Sequence, residues 1–146
     1  NAEEIKKVIL SNEVKVVENI DFELGKTTSI KKGLSKINDK NDILLIAVDQ
    51  PRNKLLIEQI SSFHINHPGE KKIVMPFSNG KSGHPIIFSN IFFNELAQIN
   101  EETEGIREVI KNNQESMIKY KTKDESALVD LNTPEQYEKY LLNYFK

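Results

Sequence analysis

ILLIAVDQP, residues 43–51, is the stretch on which the fold turns. Its first part, Ile43 to Val48, is apolar throughout, with no polar residue at alternate positions. A strand with one wet face alternates and a strand buried on both faces does not, so this run predicts a central parallel strand covered by helices on both sides. In an open sheet of that kind, ligands bind beyond the carboxyl ends of the strands. Asp49 stands at that place. A carboxylate there suits Mg²⁺, which takes few protein oxygens and keeps water and phosphate oxygens for the remainder. Gln50 follows it, and Pro51 fixes the turn that aims it. The same tripeptide also describes an ordinary aspartate capping the next helix, and the residues alone leave both readings open.

Elements on either side extend the pattern. Upstream, residues 3–10 place Ile5, Val8 and Ile9 on one helical face, Val14-Lys-Val-Val17 reads as a short strand, and 28–37 carry Ile30, Leu34 and Ile37 at helical spacing behind Thr28 as a cap. Downstream, Leu56, Ile57, Ile60 and Phe63 mark a helix and Lys72-Ile-Val-Met-Pro76 a strand. Asn79-Gly80 and Ser82-Gly83 predict a tight turn of hairpin type. Helices follow over 89–99 and 105–112, then a strand over Met117–Tyr120 and an extended piece over Leu128–Leu131. Thr133-Pro134-Glu135-Gln136 is a capping box before Tyr137, Tyr140, Leu141 and Tyr144. Strand and helix alternate through the first half, which implies right-handed βαβ crossovers, a mostly parallel sheet and one α/β domain over residues 1–146.

Composition narrows the function classes. The chain has 146 residues, 38% of them apolar and gathered in clusters, as a folded core requires. Its 22 acidic and 20 basic residues leave a net charge of −2, so no general nucleic-acid or membrane surface is expected. The absence of cysteine excludes disulfides, thiolate metal sites and a cysteine nucleophile. No apolar run approaches the ~20 residues of a membrane span, and the first residues do not form a signal peptide, so a cytoplasmic setting is expected. The chain starts without Met, with a helix already under way, which leaves a truncated chain, a cleaved product and a trimmed gene start all open.

Other segments offer chemistry. In Asp130-Leu131-Asn132-Thr133 an extended backbone puts Asp130 and Asn132 on one side, where either oxygen-bearing side chain can complete a Mg²⁺ site with Asp49; alternatively Asn132 and Thr133 merely shape the turn and cap the helix. Gly83-His84-Pro85 places a histidine in a rigid context beside a glycine that permits close backbone approach to a ligand. Gly25, with Ser29 in the helix it opens, offers backbone N–H groups to a phosphate or ribose. Arg107, behind Gly105, has the charge for a phosphate contact. His64 and His67 read as structural or solvent residues, and Lys31-Lys32 and Lys71-Lys72 as solvated flanks. The Tyr137, Tyr140 and Tyr144 stripe reads as packing.

Taken in order, these segments resemble the MobA-like nucleotidyltransferases, especially the branch that attaches a cytidylyl group to molybdopterin. The likeness runs from about Val16 to Tyr140 through NIDFELGKTTSIKKGL (19–34), LLIAVDQP (44–51), GHPIIF (83–88), Gly105 to Arg107 and VDLNTPEQY (129–137). It implies a Rossmann-like, three-layer α/β/α domain, present here as its C-terminal part, that transfers NMP from an NTP, with CTP favoured, to a phosphorylated acceptor and releases pyrophosphate. By the same resemblance Asp49 and Asn132 hold Mg²⁺, with Asp130 beside them. Gly83, His84 and Pro85 line the acceptor pocket, Ser29 lies near nucleotide or acceptor, and Arg107 falls in a segment the family writes Gly-Ala-Arg. A molybdoenzyme-maturation partner is implied as well; oligomeric state is open, and a homo-oligomer is expected only if missing upstream strands leave a sheet edge and apolar helix faces exposed. The family opens on a strand and a Gly-rich loop ending in Arg or Lys; nothing before Ile5 supplies them, so the likeness favours N-terminal truncation, and this stretch alone is expected to be inactive, or else to be a binding domain derived from such an enzyme. A sugar-phosphate nucleotidyltransferase is the other enzymatic alternative.

Overall fold

The computed structural model describes residues 2–9 and 13–144. Six helices and five strands follow in chain order among them: α1 (Ala2–Val8), α2 (Lys26–Leu34), β1 (Ile43–Leu45), α3 (Lys54–Asn66), β2 (Ile73–Ser78), β3 (Lys81–Ser82), β4 (Ile86–Phe88), α4 (Phe93–Gln98), α5 (Ile106–Asn112), β5 (Met117–Lys121) and α6 (Pro134–Tyr144). Short 3₁₀ turns at Phe22–Leu24, Asn90–Phe92, Gln114–Ser116 and Glu125–Leu128 link them.

The sheet runs β1-β4-β2-β3, with β5 on the other edge of β2. β4 is antiparallel to both β1 and β2, and β5 is parallel to β2. β1, β2 and β5 therefore point the same way, in keeping with the expected α/β fold and its parallel strand direction, while the reversed β4 and the β3 hairpin make the β1–β4, β2–β4 and β2–β3 pairings antiparallel. β1 and β2 do not pair with each other, because the Asn79-Gly80 turn and the Gly83-His84-Pro85 loop send the chain back as β4 between them. Asn79 and Gly80 both take positive φ, 49° and 78°, at the hairpin that joins β2 to β3.

Alternation along the strands divides the core into two layers. Ile43, Ile73, Met75, Ile86 and Phe88 face one side and pack with Leu34, Phe92, Leu96, Ile99 and Val109 from α2, α4, α5 and their flanks. Val74 and Ile87 face the other, against Ile60 and Phe63 of α3, with Ile118 and Tyr120 of β5. This is the three-layer α/β/α arrangement. Phe88 and Phe92 meet edge to face at 6.0 Å between centroids, both fully buried.

Several local expectations are corrected. β1 lies at the end of the strand path among the described residues, and it is not covered on both faces. Leu44, Ile46 and Val48 are exposed, Val48 completely. Val14–Val17 forms no strand; Val14 and Val16 are exposed and no ladder takes up the segment. In α1, Ile5 and Val8 also stay exposed, and Leu10 lies outside the described residues. Thr28 sits inside α2, whose cap position is Gly25. Lys72 is not a solvated flank: its ammonium group is buried and donates to the carbonyls of His64 (2.6 Å) and His67 (2.8 Å), closing the C-terminal end of α3. His64, read as a structural or solvent residue, is structural: it is buried and meets the Asp42 carboxylate at 2.7 Å, which pins α3 to the start of β1.

Phe88→Ala should destabilise the fold by about 3–5 kcal/mol, through lost burial and the cavity left in the larger core layer. Val48→Ser should stay within about 0.5 kcal/mol of the parent, as a fully exposed position allows. Urea denaturation of both variants checks the assignment of inside and outside.

Candidate functional site

The three co-directional strands deliver their carboxyl ends to one rim of the sheet. Beyond β1 the chain turns through Asp49, Gln50 and Pro51 and enters α3, where the Asn53 side chain accepts a hydrogen bond from the Leu55 N–H at 3.0 Å. Beyond β2 the hairpin ends in Gly83-His84-Pro85. Beyond β5 the Glu125–Leu128 turn leads into Val129 to Thr133 and α6. The first turn of α3 presents its positive dipole end at the same rim.

Backbone bonds lock these segments together. The Leu131 N–H donates to the Asp49 carbonyl at 2.9 Å, and the His84 N–H to the Ala127 carbonyl at 3.0 Å. Gly83 is there for a steric reason, since a Cβ at that position would run into the Ala127 carbonyl. Asp130 and Asn132 are exposed, and Leu131 between them is half-buried, as extended backbone alternation predicts. The capping box forms as written in the sequence: the Gln136 N–H donates to Thr133 Oγ1 at 3.3 Å, and Gln136 Oε1 accepts from the N–H groups of Thr133 (3.1 Å) and Asn132 (2.7 Å). Asp49 and Asn132 thus stand on adjoining loops.

Arg52, which the sequence reading passed over, lies at the centre. Its Nε donates to the His84 carbonyl at 2.9 Å, and its Nη1 to the carbonyls of Val129 (2.7 Å) and Pro51 (2.9 Å). Partial burial lowers its pKa, and the nearby charges of Asp130 and Asp49 act in the opposite direction. The same neighbourhood sets His84: burial, then the Arg52 charge, lower its pKa below the ordinary histidine value, against the pull of Asp130. His84 therefore stays neutral at neutral pH. Two buried polar atoms of these loops, Gln50 Oε1 and His84 Nδ1, have no hydrogen-bond partner among the described residues.

A groove of about 360 Å³ opens beside Asp49 and Arg52, walled by Val48, Pro51, Leu131, Tyr137, Tyr140 and Leu141. Here α6, read from its sequence as packing, contributes two aromatic rings, Tyr137 and Tyr140, to a concave surface; the Tyr144 side chain lies outside the described residues.

Other predicted site residues are arranged differently. Gly25 takes φ 110° and leads into α2, but the first amides of that helix are already engaged: the Thr27 N–H donates to Glu101 Oε1 at 2.7 Å, and the Thr28 N–H to the Gly25 carbonyl. A side chain on Gly25 would collide with Glu101. Ser29 is exposed and its Oγ accepts from Asn19 Nδ2 at 2.9 Å. Arg107 is exposed in the first turn of α5, whose preceding Gly105 abuts Thr27. These residues gather around the start of α2, and Lys26, also there, lies close enough for its charge to act on His84.

The chemistry of the donors fits a hydrated divalent ion. No group of three or more His, Asp or Glu side chains suited to a metal occurs among the described residues. The rim offers two carboxylates and an amide on adjoining loops, and an ion that completes its shell with water and phosphate oxygens asks for no more.

Comparison with known proteins agrees with this architecture. Residues 1–117 match the family model described as the MobA-like NTP transferase domain. None of the curated proteins matches the sequence. Among solved structures, Rv0371c from Mycobacterium tuberculosis H37Rv is 20% identical with a TM-score of 0.66, covering 81% of this chain and 60% of its own. The chain thus spans less than two thirds of that protein. The homologue of Rv0371c from Mycobacterium sp. strain JC1 gives 18% identity and a TM-score of 0.74, covering 99% of this chain and 71% of its own. A complex of Rv0371c with manganese gives 19%, 0.73, 97% and 73% in the same order. At these identities the likeness is one of fold. No helix among the described residues is long and apolar enough to cross a membrane.

The Glu101 cap generates a pH test. Accepting the Thr27 N–H holds the Glu101 carboxyl below its ordinary pKa. A carboxylate with a depressed folded-state pKa adds stability that is present above the unfolded value and lost as pH falls through the folded one. The stability difference between the parent and Glu101→Gln should therefore be constant near neutrality and shrink as pH drops below the ordinary glutamate range. Thermal unfolding across pH 3–7 checks this.

Proposed function

This chain belongs to the family of MobA-like NTP transferase domains, and from that premise we propose that the protein it represents transfers a nucleotidyl group from an NTP to a phosphorylated small-molecule acceptor. CTP and a molybdopterin-type phosphate are the favoured pair. Residues 1–146 contribute the part of one such domain that holds the ion and the acceptor, in a cytoplasmic protein. The observation that carries this reading is the 2.9 Å bond from the Leu131 N–H to the Asp49 carbonyl, which keeps the Asp49 and Asp130–Asn132 loops side by side at the sheet rim.

Asp49 and Asn132, with Asp130 beside them, would hold Mg²⁺. When bound, such an ion supplies positive charge to the phosphate oxygens. Manganese in the Rv0371c complex belongs to that protein, but it is the kind of ion this donor set takes. His84, held neutral, can donate or accept a hydrogen bond without adding charge, and with Gly83 and Pro85 it orients the acceptor. Gln50 Oε1 offers an acceptor to a substrate donor group. The groove walled by Pro51, Leu131, Tyr137 and Tyr140 suits the planar organic part of a substrate. In the transfer an acceptor phosphate oxygen forms a bond to the α-phosphorus, the α–β phosphoanhydride breaks, and pyrophosphate departs with its electron pair. A phosphate nucleophile is already ionised near neutral pH, so the protein's task is positioning and charge neutralisation.

A second reading, a binding domain without transfer activity, has one observation in its favour. The helix start that would receive a phosphate at Gly25 is closed by Glu101.

Asp49→Ala in the full polypeptide should lower turnover of CTP with a phosphorylated acceptor by at least ~100-fold while leaving the circular dichroism and melting unchanged. Pyrophosphate release measures it. Near-parental turnover would remove Asp49 from the ion-holding role, and ligand binding by calorimetry with no pyrophosphate release in the parent would favour the binding domain.

A further inference from the structure

We propose that Arg52 is the positioning residue of this rim: its guanidinium fork fixes the three loops that carry Asp49, His84 and Asp130 relative to one another. The proposal rests on the reading of the rim as a divalent-ion and phosphate site, though the fork itself is a matter of geometry.

The carbonyls it joins are far apart in sequence. Arg52 Nε donates to His84, 32 residues away, and Nη1 to Val129, 77 residues away, while Nη1 also donates to Pro51. The guanidinium thus ties the loop after β1, the loop before β4 and the segment before α6 at a single point. None of these carbonyls is taken up in a strand ladder. Left alone in a half-buried setting, each would lack a donor, at a free-energy cost comparable to a lost hydrogen bond.

The choice of side chain follows from the geometry. The acceptors lie in different directions about one planar group, and two of them share a single nitrogen. Arginine meets this with rigidly spaced donors that cannot lose their proton, whereas lysine offers a point charge on a flexible stem. Charge adds a second reason. Asp49 and Asp130 are both near enough to act on Arg52, yet among the described residues it forms an ion pair with neither. Its positive charge offsets the repulsion between two carboxylates brought to one rim and leaves their oxygens available for a ligand.

A merely structural arginine and a positioning arginine differ in what they move. Wild-type protein, Arg52→Ala and Arg52→Lys are compared by hydrogen exchange at the Leu131 and His84 amides and by Mn²⁺ titration followed by electron paramagnetic resonance. Exchange at both amides should rise roughly tenfold or more in both variants, with amides of the α3 and β2 core unchanged. Mn²⁺ affinity should fall by about 10–100-fold, the usual effect of removing a group that orients metal ligands. Lysine should fail to rescue either readout. In the wild-type protein the Arg52 Nε–H should give a separate, slowly exchanging NMR signal, a readout that needs no variant to fold. A fast-exchanging Nε–H, or unchanged amide exchange in a folded variant, overturns the proposal. Absence of Mn²⁺ binding by the wild-type protein counts against the ion site instead, and the exchange data still decide the role of Arg52.

Discussion

One hydrogen bond between main-chain atoms, from the Leu131 N–H to the Asp49 carbonyl, is the constraint on which the site depends. It exists because β1, β2 and β5 point the same way, so that the chain leaves each of them at one rim. The reversed strand β4 reinforces this. By passing back between β1 and β2 it begins at the rim, which brings Gly83, His84 and Pro85 to the place where the other strands end. Burial of Phe88, Ile87 and Val74 in the two core layers holds the strands in that order. Position at the rim is thus a consequence of core packing, and chemistry is added to it by exposed or half-buried side chains that the core does not need.

Electrostatics at the rim centres on Arg52 and the two aspartates beside it. Arg52 is half-buried, bonded to neutral carbonyls and flanked by Asp49 and Asp130. Burial first, and then the Arg52 charge, lower the pKa of His84. A second cluster lies around the start of α2, where Glu101 stands at a helix end that would otherwise attract an anion. Lys26, at the start of α2, is near enough for its charge to act on His84.

What could be read from the sequence follows the range of the interactions. The capping box at Thr133 and Gln136 is local, and its bonds form as the spacing predicts. The strand at Ile73, the helix at Leu56 to Phe63 and the turn at Asn79-Gly80 were legible for the same reason. The order of segments carried the likeness to the MobA-like domain, and with it the neighbourhood of the Asp49 and Asn132 loops. Features made by distant partners were not legible. Arg52 finds acceptors 32 and 77 residues away, Glu101 meets Thr27 across 74 residues, and His64 meets Asp42 across 22. Nothing in DQPRN marks its arginine as different from a surface one. Val14–Val17 has strand composition but no ladder to join, and Leu44, Ile46 and Val48 have the composition of a fully covered strand but lie exposed. In both cases composition states what a segment can do, while the neighbours present decide what it does.

The most direct test of the ion site is paramagnetic broadening of backbone amide signals by substoichiometric Mn²⁺ in the presence of CTP. The account predicts that the amides of Asp49, Gln50, Leu131 and Asn132 broaden first and together, with His84 close behind. Broadening centred on the opposite end of the sheet, around Asp42 and Glu70, or broadening of the Asp49 loop without the Asn132 loop, would contradict it.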